Sequence, residues 1–226
     1  MNYRKIEKAL FVERPNRFVA KVKLANRQEL ETVHVKNTGR CKEILIPGKT
    51  QVILETTDNP DRKTKYDLVA AYKENFGLIN IDSQAPNKVV AEWLQDKDFD
   101  YVKPEYKYGA SRIDFYMEKK GQAYLMEVKG CTLEREGVGF FPDAPTERGV
   151  KHLRELAKAT EEGYRAILAF VIQMDGVSEV RPNIETHPEF GVAIEEAKAA
   201  GVQVLFLPCH VREDGFDIVS DYHFFE

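Results

Sequence analysis

Two kinds of segment are missing from the chain, and one residue type is rare. Its 226 residues include no run of 18 apolar residues, so we expect no membrane-spanning helix and no membrane partner. The opening stretch MNYRKIEKALFVERPNRF lacks the apolar core of a signal peptide. The cysteines Cys41, Cys131 and Cys209 lack metal-ligand spacing and indicate a reducing compartment. The sequence therefore predicts a cytoplasmic globular protein.

The chain also has fewer positive than negative side chains, with 33 Lys and Arg against 37 Asp and Glu, which gives a net charge of −4. The total does not favour nucleic-acid binding, but local patches matter more than totals. Basic residues cluster in four places: Arg14/Arg17/Lys21/Lys23, Arg40/Lys42, Arg62/Lys63/Lys65 and Lys103/Lys107/Arg112. Each cluster is either a solvated face or a phosphate-binding surface, and the sequence leaves both interpretations open.

The apolar pattern divides the chain into residues 1–82 and 83–226. The first part contains five short strand-like runs, with Asn26 as the turn residue between the first two. The runs lie at 17–25, 28–37, 51–57, 65–73 and 76–82. Five short strands predict a small barrel of the OB type, which commonly binds oligonucleotides. Its aromatics Phe18, Tyr66 and Tyr72 are either stacking platforms or core, and we expect core for at least two.

The second part has the order α-β-β-β-α-β, followed by α-β. Asn87 is a candidate N-cap for the first helix, and three strand-like runs follow between residues 101 and 130. The next helix has Asp143 before its first turn and Gly163 at the C′ position. Residues 165–174 form a continuous apolar run, which is typical of a buried strand. The fold class is therefore α+β / α/β, with a barrel followed by a mixed sheet with helices.

Within the second part, the stretch IDFYMEKKGQAYLMEVKG (113–130) places charge inside apolar strands. A turn centred between Lys120 and Gly121 sets Asp114 opposite Glu127, where directly opposed Cβ atoms lie about 5 Å apart. Lys129 shares a face with Glu127 because side chains alternate along a strand with a period of two. The sequence therefore predicts that these three charges converge.

Two carboxylates at this separation repel by roughly 3 kcal/mol at an effective dielectric constant near 20. Such a pair needs a cation or a shared proton, and oxygen ligands suit Mg²⁺. A bound metal with a nearby lysine is chemistry suited to phosphodiester cleavage. The competing interpretation is an ordinary exposed strand, because this charge pattern also arises by chance.

Other polar residues are candidates for the same site. Arg148 and His152 lie on the polar side of the second helix, near Lys151, and are predicted either to be solvated or to meet phosphates near the carboxylates. Glu92 on the first helix is a weaker candidate for a third metal carboxylate. The nucleic-acid contacts predicted from the whole chain are Arg14, Arg17, Arg40, Arg62, Lys63, Arg112, Arg148, Lys151 and His152.

The chain resembles the sugar fermentation stimulation protein A (SfsA) family over nearly its whole length. The segments that carry the resemblance are RPNRF (14–18), HVKNTGR (34–40), PNKVV (86–90), SRIDF (111–115), EVKGCTL (127–133) and FPDAPTERGVKHLREL (141–156). The resemblance implies an OB-fold-like nucleic-acid-binding domain at 1–82 and a PD-(D/E)xK nuclease-like domain of restriction-endonuclease type at 83–226. It also implies DNA binding and a link to sugar (maltose) metabolism.

On the motif of that nuclease family, Asp114 matches the first acid, Glu127 the second and Lys129 the lysine, whereas Glu92 matches the helix acid loosely. The favoured function is a sequence-nonspecific DNA-binding protein with a catalytic site that uses Mg²⁺ or Mn²⁺. The first alternative is a non-catalytic DNA-binding regulator. The second is a glycosidase, since closely spaced carboxylates suit a retaining mechanism, although Lys129 argues against it. The oligomeric state stays open, with a homodimer among the options.

Overall fold

The computed structural model describes residues 1–25, 27–37 and 39–219. The expected turn residue Asn26 lies outside these ranges. The strands of the first part are β1 (Ile6–Asn16), β2 (Val19–Leu24), β3 (Glu31–Val35), β4 (Gln51–Thr56), β5 (Tyr66–Lys73) and β6 (Gly77–Asn80). Strands β1 to β5 close into a ring, because β1 pairs with both β2 and β4 while β3 pairs with both β2 and β5. The predicted five-stranded barrel is confirmed.

The five strands of this barrel differ from the five expected. Strand β1 was not predicted, because only Ala9 and Phe11 of its eleven residues are buried and its charged residues hide the alternation. The expected last strand is β6, which extends the sheet beyond β5 and lies outside the ring. Tyr66 is fully buried and Tyr72 is half-buried, whereas Phe18 is exposed.

Over its described residues, 83–219, the second part contains a six-stranded sheet, three helices and a small side sheet. Its elements are α1 (Ala85–Gln95), β7 (Tyr101–Tyr108), β8 (Ser111–Lys119), β9 (Gln122–Cys131), β10 (Leu133–Arg135), β11 (Val138–Phe141), α2 (Glu147–Glu161), β12 (Arg165–Ile172), β13 (Val180–Pro182), α3 (Pro188–Ala199), β14 (Gln203–Arg212) and β15 (Gly215–Ile218). The sheet order is β15-β14-β12-β9-β8-β7, with β9, β12 and β14 parallel. The expected α-β-β-β-α-β order is confirmed, and the hairpin β10–β11 is an addition.

The expected starts of α1 and α2 need correction, whereas the expected end of α2 is confirmed. Helix α1 begins at Ala85, so Asn87 lies in its first turn instead of capping it. Helix α2 begins at Glu147 and is capped by Thr146, whose side chain accepts a hydrogen bond from the Gly149 N–H. Gly163 occupies the predicted C′ position with φ of +90°. Within the described ranges, no helix is long and apolar enough to cross a membrane.

A buried polar network lies where the barrel meets the second sheet. The Lys36 ammonium lies 3.0 Å from the Asp82 carboxylate and 3.3 Å from that of Asp67. Asp67 also accepts from both terminal nitrogens of Arg62 and contacts His34. Gln173, which directly follows β12 of the second sheet, donates to the backbone oxygens of Asn80 and Asp82. The junction is therefore built from charges and amides that satisfy one another.

The contacts in this network lower the pKa of Asp67. Burial alone raises its pKa, but Arg62, Lys36 and His34 together outweigh burial and lower it to about 2. Because an unfolded aspartate titrates near pH 4, the ionised form favours the folded state above that pH. The stabilisation is lost as the pH falls from about 4 to about 2.

We predict that Asp67→Asn lowers the free energy of unfolding by about 3 kcal/mol at pH 7, because it leaves buried cations with a weaker partner. The difference from the unaltered protein should shrink between pH 4 and pH 2, where Asp67 itself becomes neutral. Urea unfolding across this pH range measures both effects, with the exposed Asp61→Asn as the matched control. A difference independent of pH would contradict the assignment.

Candidate metal-dependent nuclease site

The central hairpin has the predicted register. Lys120 and Gly121 both adopt positive φ, at 50° and 77°, which suits a tight hairpin turn. Strand β8 pairs with β9 from Lys119–Gln122 through to Phe115–Met126. Extending this register sets Asp114 opposite Glu127, as the sequence predicted.

Beyond the Phe115–Met126 pair, the Asp114 side chain forms a hydrogen bond that links β8 to β9. Its Oδ2 accepts from the Val128 backbone N–H at 2.7 Å, and its Oδ1 accepts from the Asn87 side chain of α1 at 2.7 Å. Burial and the negative charge of Glu127 raise the pKa of Asp114, against the hydrogen bonds and Lys129. The two carboxylates are therefore close enough to interact. Asn87, which the sequence suggests as a helix cap, orients Asp114 instead.

Glu127 is 2% exposed, and its two carboxylate oxygens have different surroundings. Oε1 accepts from the Lys129 ammonium at 2.5 Å and is also bonded by Nδ1 of His152. Oε2 is buried and has no hydrogen-bond partner among the described residues. Burial raises the pKa of Glu127, but His152 and Lys129 outweigh it and hold the pKa below its usual value. Glu127 is therefore an anion with one oxygen unsatisfied.

His152 was predicted to meet phosphate, and the structure corrects this. The ring is buried on α2, with Nδ1 at Glu127 and Nε2 accepting from Nε of Arg148 at 3.4 Å. Because Nε2 accepts, the neutral ring carries its proton on Nδ1 and donates it to Glu127. His152 therefore orients the carboxylate from the helix side. From the sequence, the spacing of four residues shows only that His152 shares a helix face with Arg148. It does not show that this face contacts Glu127.

Glu92 does not join this cluster. Its carboxylate pairs with the Met1 ammonium at 2.8 Å, and Met1 in turn donates to the backbone of Phe216 in β15. Asn87 and Glu92 lie five residues apart on α1 and so point about 140° apart around the helix. Glu92 therefore points away from the side of α1 that faces Asp114 and does not supply the predicted third metal carboxylate.

Two of the predicted nucleic-acid contacts are used inside the protein. The Arg14 guanidinium donates to the carbonyl oxygens of four residues, Arg17, Asn37, Gly39 and Arg40. Arg62 is bound to Asp67 in the junction network. These two arginines hold structure, which corrects their assignment as phosphate contacts.

The remaining predicted cations are exposed and fall into two groups. The barrel carries Arg17, Arg40 and Lys63. The second sheet and α2 carry Arg112, which pairs with Glu105 at 3.1 Å, together with Arg148 and Lys151. Arg112, Arg148 and Lys151 line a groove between α2 and the β7–β8 turn. The predicted cations that face solvent therefore lie on both parts of the chain.

A cleft of about 430 Å³ opens beside Lys129, between the barrel and the second sheet. The barrel contributes Asn37 and Gly39 to its wall, and the second part contributes Asp143, Arg148 and Gln173. A side chain at position 39 has no space, because a Cβ there lies 1.9 Å from the Asp143 carboxylate. The sequence placed Asp143 before a helix turn and did not predict this contact between the two parts.

The donor set at Asp114 and Glu127 fits a divalent cation. A buried anionic oxygen without a donor is costly unless a cation or water meets it, and the unsatisfied atom here is Oε2 of Glu127. Carboxylate oxygens are the ligands that Mg²⁺ and similar hard cations prefer. Asp114 lies next to it with a raised pKa, which a bound cation would lower.

A second group that can hold a metal lies elsewhere, formed by Glu147, His187 and Glu189, whose ligand atoms lie within 4.8 Å of one another. Here Nδ1 of His187 accepts from the Thr146 N–H at 3.2 Å, so the neutral ring carries its proton on Nε2. That nitrogen faces Glu147 at 3.3 Å. A histidine ligand must present an unprotonated nitrogen, so this geometry suits a link between the starts of α2 and α3 better than a metal.

Comparison with known proteins agrees with both parts of the fold. Residues 12–81 match the family described as the SfsA N-terminal OB domain, and residues 84–215 match the Sugar fermentation stimulation protein RE domain. The chain is 51% identical over 226 residues to a sugar fermentation stimulation protein homolog of Clostridium beijerinckii, covering 98% of each chain. It is 50% identical over 220 residues to the homolog of Desulfitobacterium hafniense, covering 96% of this chain and 95% of that one.

A solved structure of Pyrococcus furiosus SfsA in complex with Ca²⁺ superposes with a TM-score of 0.85 at 27% identity. The match covers 97% of this chain and 96% of that one. The relative therefore shares both the barrel and the second sheet, and it is a protein seen with a divalent cation. With two matching domains and half-identical relatives over nearly their full length, the chain belongs to the SfsA family.

Proposed function

We propose that this protein binds DNA without sequence preference and cleaves phosphodiester bonds with Mg²⁺ or Mn²⁺ held by Asp114 and Glu127. The observation that carries the proposal is the unsatisfied Oε2 of Glu127, buried beside a second carboxylate whose pKa is raised. The Ca²⁺ in the related SfsA structure supports a divalent cation in this family. In this proposal residues 1–82 bind nucleic acid and residues 83–226 carry the catalytic site.

The residues around the carboxylates have separate roles in the proposed reaction. A divalent cation would supply positive charge against the scissile phosphate and acidify a water. Asn87 and the Val128 N–H orient Asp114, and His152 orients Glu127. Lys129, 2.5 Å from Glu127 and lining the open cleft, stabilises negative charge that develops on the phosphate.

The direct test is cleavage of plasmid and oligonucleotide DNA with Mg²⁺, with Mn²⁺ and with EDTA. Metal-dependent cleavage that EDTA abolishes is the expected result. DNA binding without cleavage under any of these conditions would favour the non-catalytic regulator instead. That result would mean that the protein binds DNA but that Asp114 and Glu127 do not catalyse cleavage.

We predict that Asp114→Asn abolishes Mg²⁺ binding and cleavage together, because hard cations need the carboxylate charge. Without metal, its melting temperature should hold or rise, because the substitution removes a buried charge that repels Glu127. Calorimetric titration with Mg²⁺ and thermal melts in EDTA measure the two effects. Glu92→Gln is the matched control and should change neither. A marked loss of metal-free stability in Asp114→Asn would show that the charge serves an ion pair.

Lys129→Ala should separate binding from chemistry. The variant keeps both metal carboxylates, and His152 still holds Oε1 of Glu127, so Mg²⁺ affinity should change little. Cleavage should fall about 100-fold or more, as when one charge-stabilising donor is removed from an active site. Single-turnover cleavage at saturating Mg²⁺ measures the loss, with the exposed Lys158→Ala of α2 as control. Equal losses in the two variants would argue against a catalytic lysine.

DNA affinity should fall steeply between low and physiological salt, because phosphate contacts release counterions. Replacing Arg148 or Lys151 by Gln should reduce the slope of log K against log salt by about one per lost contact, equally for unrelated DNA sequences. The matched control is Lys198→Gln on α3, where the lysine pairs with Glu195 away from the site. Anisotropy titrations at four salt concentrations give the slopes. A slope near zero for the unaltered protein would refute phosphate-driven binding.

A further inference from the structure

The barrel exposes one aromatic ring at a position suited to stacking. Phe18 lies at the tip of the β1–β2 turn and is 46% exposed, whereas Tyr66 is fully buried. The Arg17 guanidinium covers one side of the Phe18 ring, 4.7 Å from its centroid. An exposed ring beside a guanidinium is the combination on which unpaired bases stack, and the loop between the first two strands is a common oligonucleotide contact in OB barrels.

Hydrogen bonds from Arg14 connect the turn that carries Phe18 to the wall of the cleft beside Lys129. The guanidinium of Arg14 donates to Arg17 O at 2.8 Å and to Asn37 O at 2.5 Å, and its other terminal nitrogen reaches Gly39 O at 2.8 Å. The carbonyl of Phe18 accepts from the Val35 N–H at 2.7 Å. A single side chain therefore holds the stacking turn next to the loop that forms the cleft wall.

The cleft has the size and lining for one nucleotide unit of an unpaired strand. Its volume of about 430 Å³ is in the range of single small-ligand sites, too small for a paired duplex. Asn37 and Thr132 offer polar groups, Phe140 and Phe141 offer ring surface, and Lys129 and Arg148 offer positive charge. These are the groups that contact the edge, the face and the phosphate of a nucleotide.

The charges around this path also favour a phosphate backbone. Arg17 lies beside Phe18 and Arg40 near Asp143, and both are exposed. Asp143 in the cleft wall is opposed by Arg14 and Arg40, and burial raises its pKa above the usual value. The acid facing this cleft is thus countered by neighbouring arginines.

We infer that the DNA enters as an unpaired strand, with one base stacked on Phe18 and a neighbouring nucleotide enclosed in the cleft beside Lys129. The inference deepens the proposed function and rests on its DNA-binding part. It makes Phe18 a specificity-determining residue that distinguishes single-stranded from duplex DNA without taking part in the chemistry.

The test compares affinities in EDTA, where no metal-dependent cleavage occurs. A labelled single strand of about 12 nucleotides, within the site size of one OB barrel, is titrated alongside the blunt duplex of the same sequence. The single strand should bind at least tenfold more tightly. Phe18→Ala should weaken single-strand binding about tenfold and leave duplex binding within twofold, whereas Phe18→Tyr should retain single-strand affinity.

Leu30→Ala is the matched control, because Leu30 is 47% exposed on the same barrel but follows the far end of β2. It should leave both affinities unchanged. A duplex bound as tightly as the single strand, or equal effects of Phe18→Ala and Leu30→Ala, would overturn the inference.

Photocrosslinking with iodouracil in the single strand locates the path without any substitution in the protein. Adducts at Phe18 and at Phe140 or Phe141 are expected. Adducts confined to the β7 edge, for instance at the exposed Tyr101, would overturn the inference. The two proposals fail separately: cleavage of DNA without strand preference removes only this inference, and strand preference without metal-dependent cleavage removes only the catalytic part of the proposed function.

Discussion

The buried carboxylate of Glu127 is the constraint on which the site depends. It lies on β9, a strand with neighbours on both sides, so water does not reach it from the sheet edges. An anion in such a place needs donors, and Lys129 and His152 supply them to one oxygen only. Among the described residues, none donates a hydrogen bond to the other oxygen. In the proposed function a divalent cation would bind this oxygen together with Asp114, whose charge is unfavourable beside Glu127.

The position of Glu127 requires three elements to meet. The β8–β9 hairpin brings Asp114 into register, α1 brings Asn87 to Asp114, and α2 brings His152 to Glu127. Helix α2 is amphipathic, with Val150, Leu153 and Leu156 buried, and its own packing therefore turns His152 inward. The same packing leaves Arg148 and Lys151 exposed to solvent.

The barrel is joined to this site by polar contacts as well as by packing. Lys36 binds Asp67 of the barrel and Asp82 before α1, and its carbonyl accepts from Ser83. The next residue, Asn37, lines the cleft, and Arg14 holds its carbonyl. The junction network thus determines where the barrel loop stands relative to Lys129. Residues of the barrel and of the second part therefore line one cleft together.

Local patterns predicted much of this arrangement, and their failures have identifiable causes. The hairpin register followed from its turn, because Lys120 and Gly121 set the pairing of every residue above them. Strand β1 was missed because it buries few of its residues. The prediction of Arg14 and Arg62 as phosphate contacts is wrong because a sequence shows a charge but not its partner. Glu92 was misplaced because a helix position does not show which side of the helix faces the sheet.

The sequence by itself determined the two-part α+β architecture, the hairpin and the convergence of Asp114, Glu127 and Lys129, since turn chemistry and strand alternation act over short separations. Tertiary structure alone decided that His152 orients Glu127, that Asn87 holds Asp114, and that Arg14 joins the Phe18 turn to the cleft. These contacts join residues that are 25 and 27 positions apart along the chain, or bring a barrel loop against a distant sheet. No local period encodes such distances, because they depend on how whole elements pack.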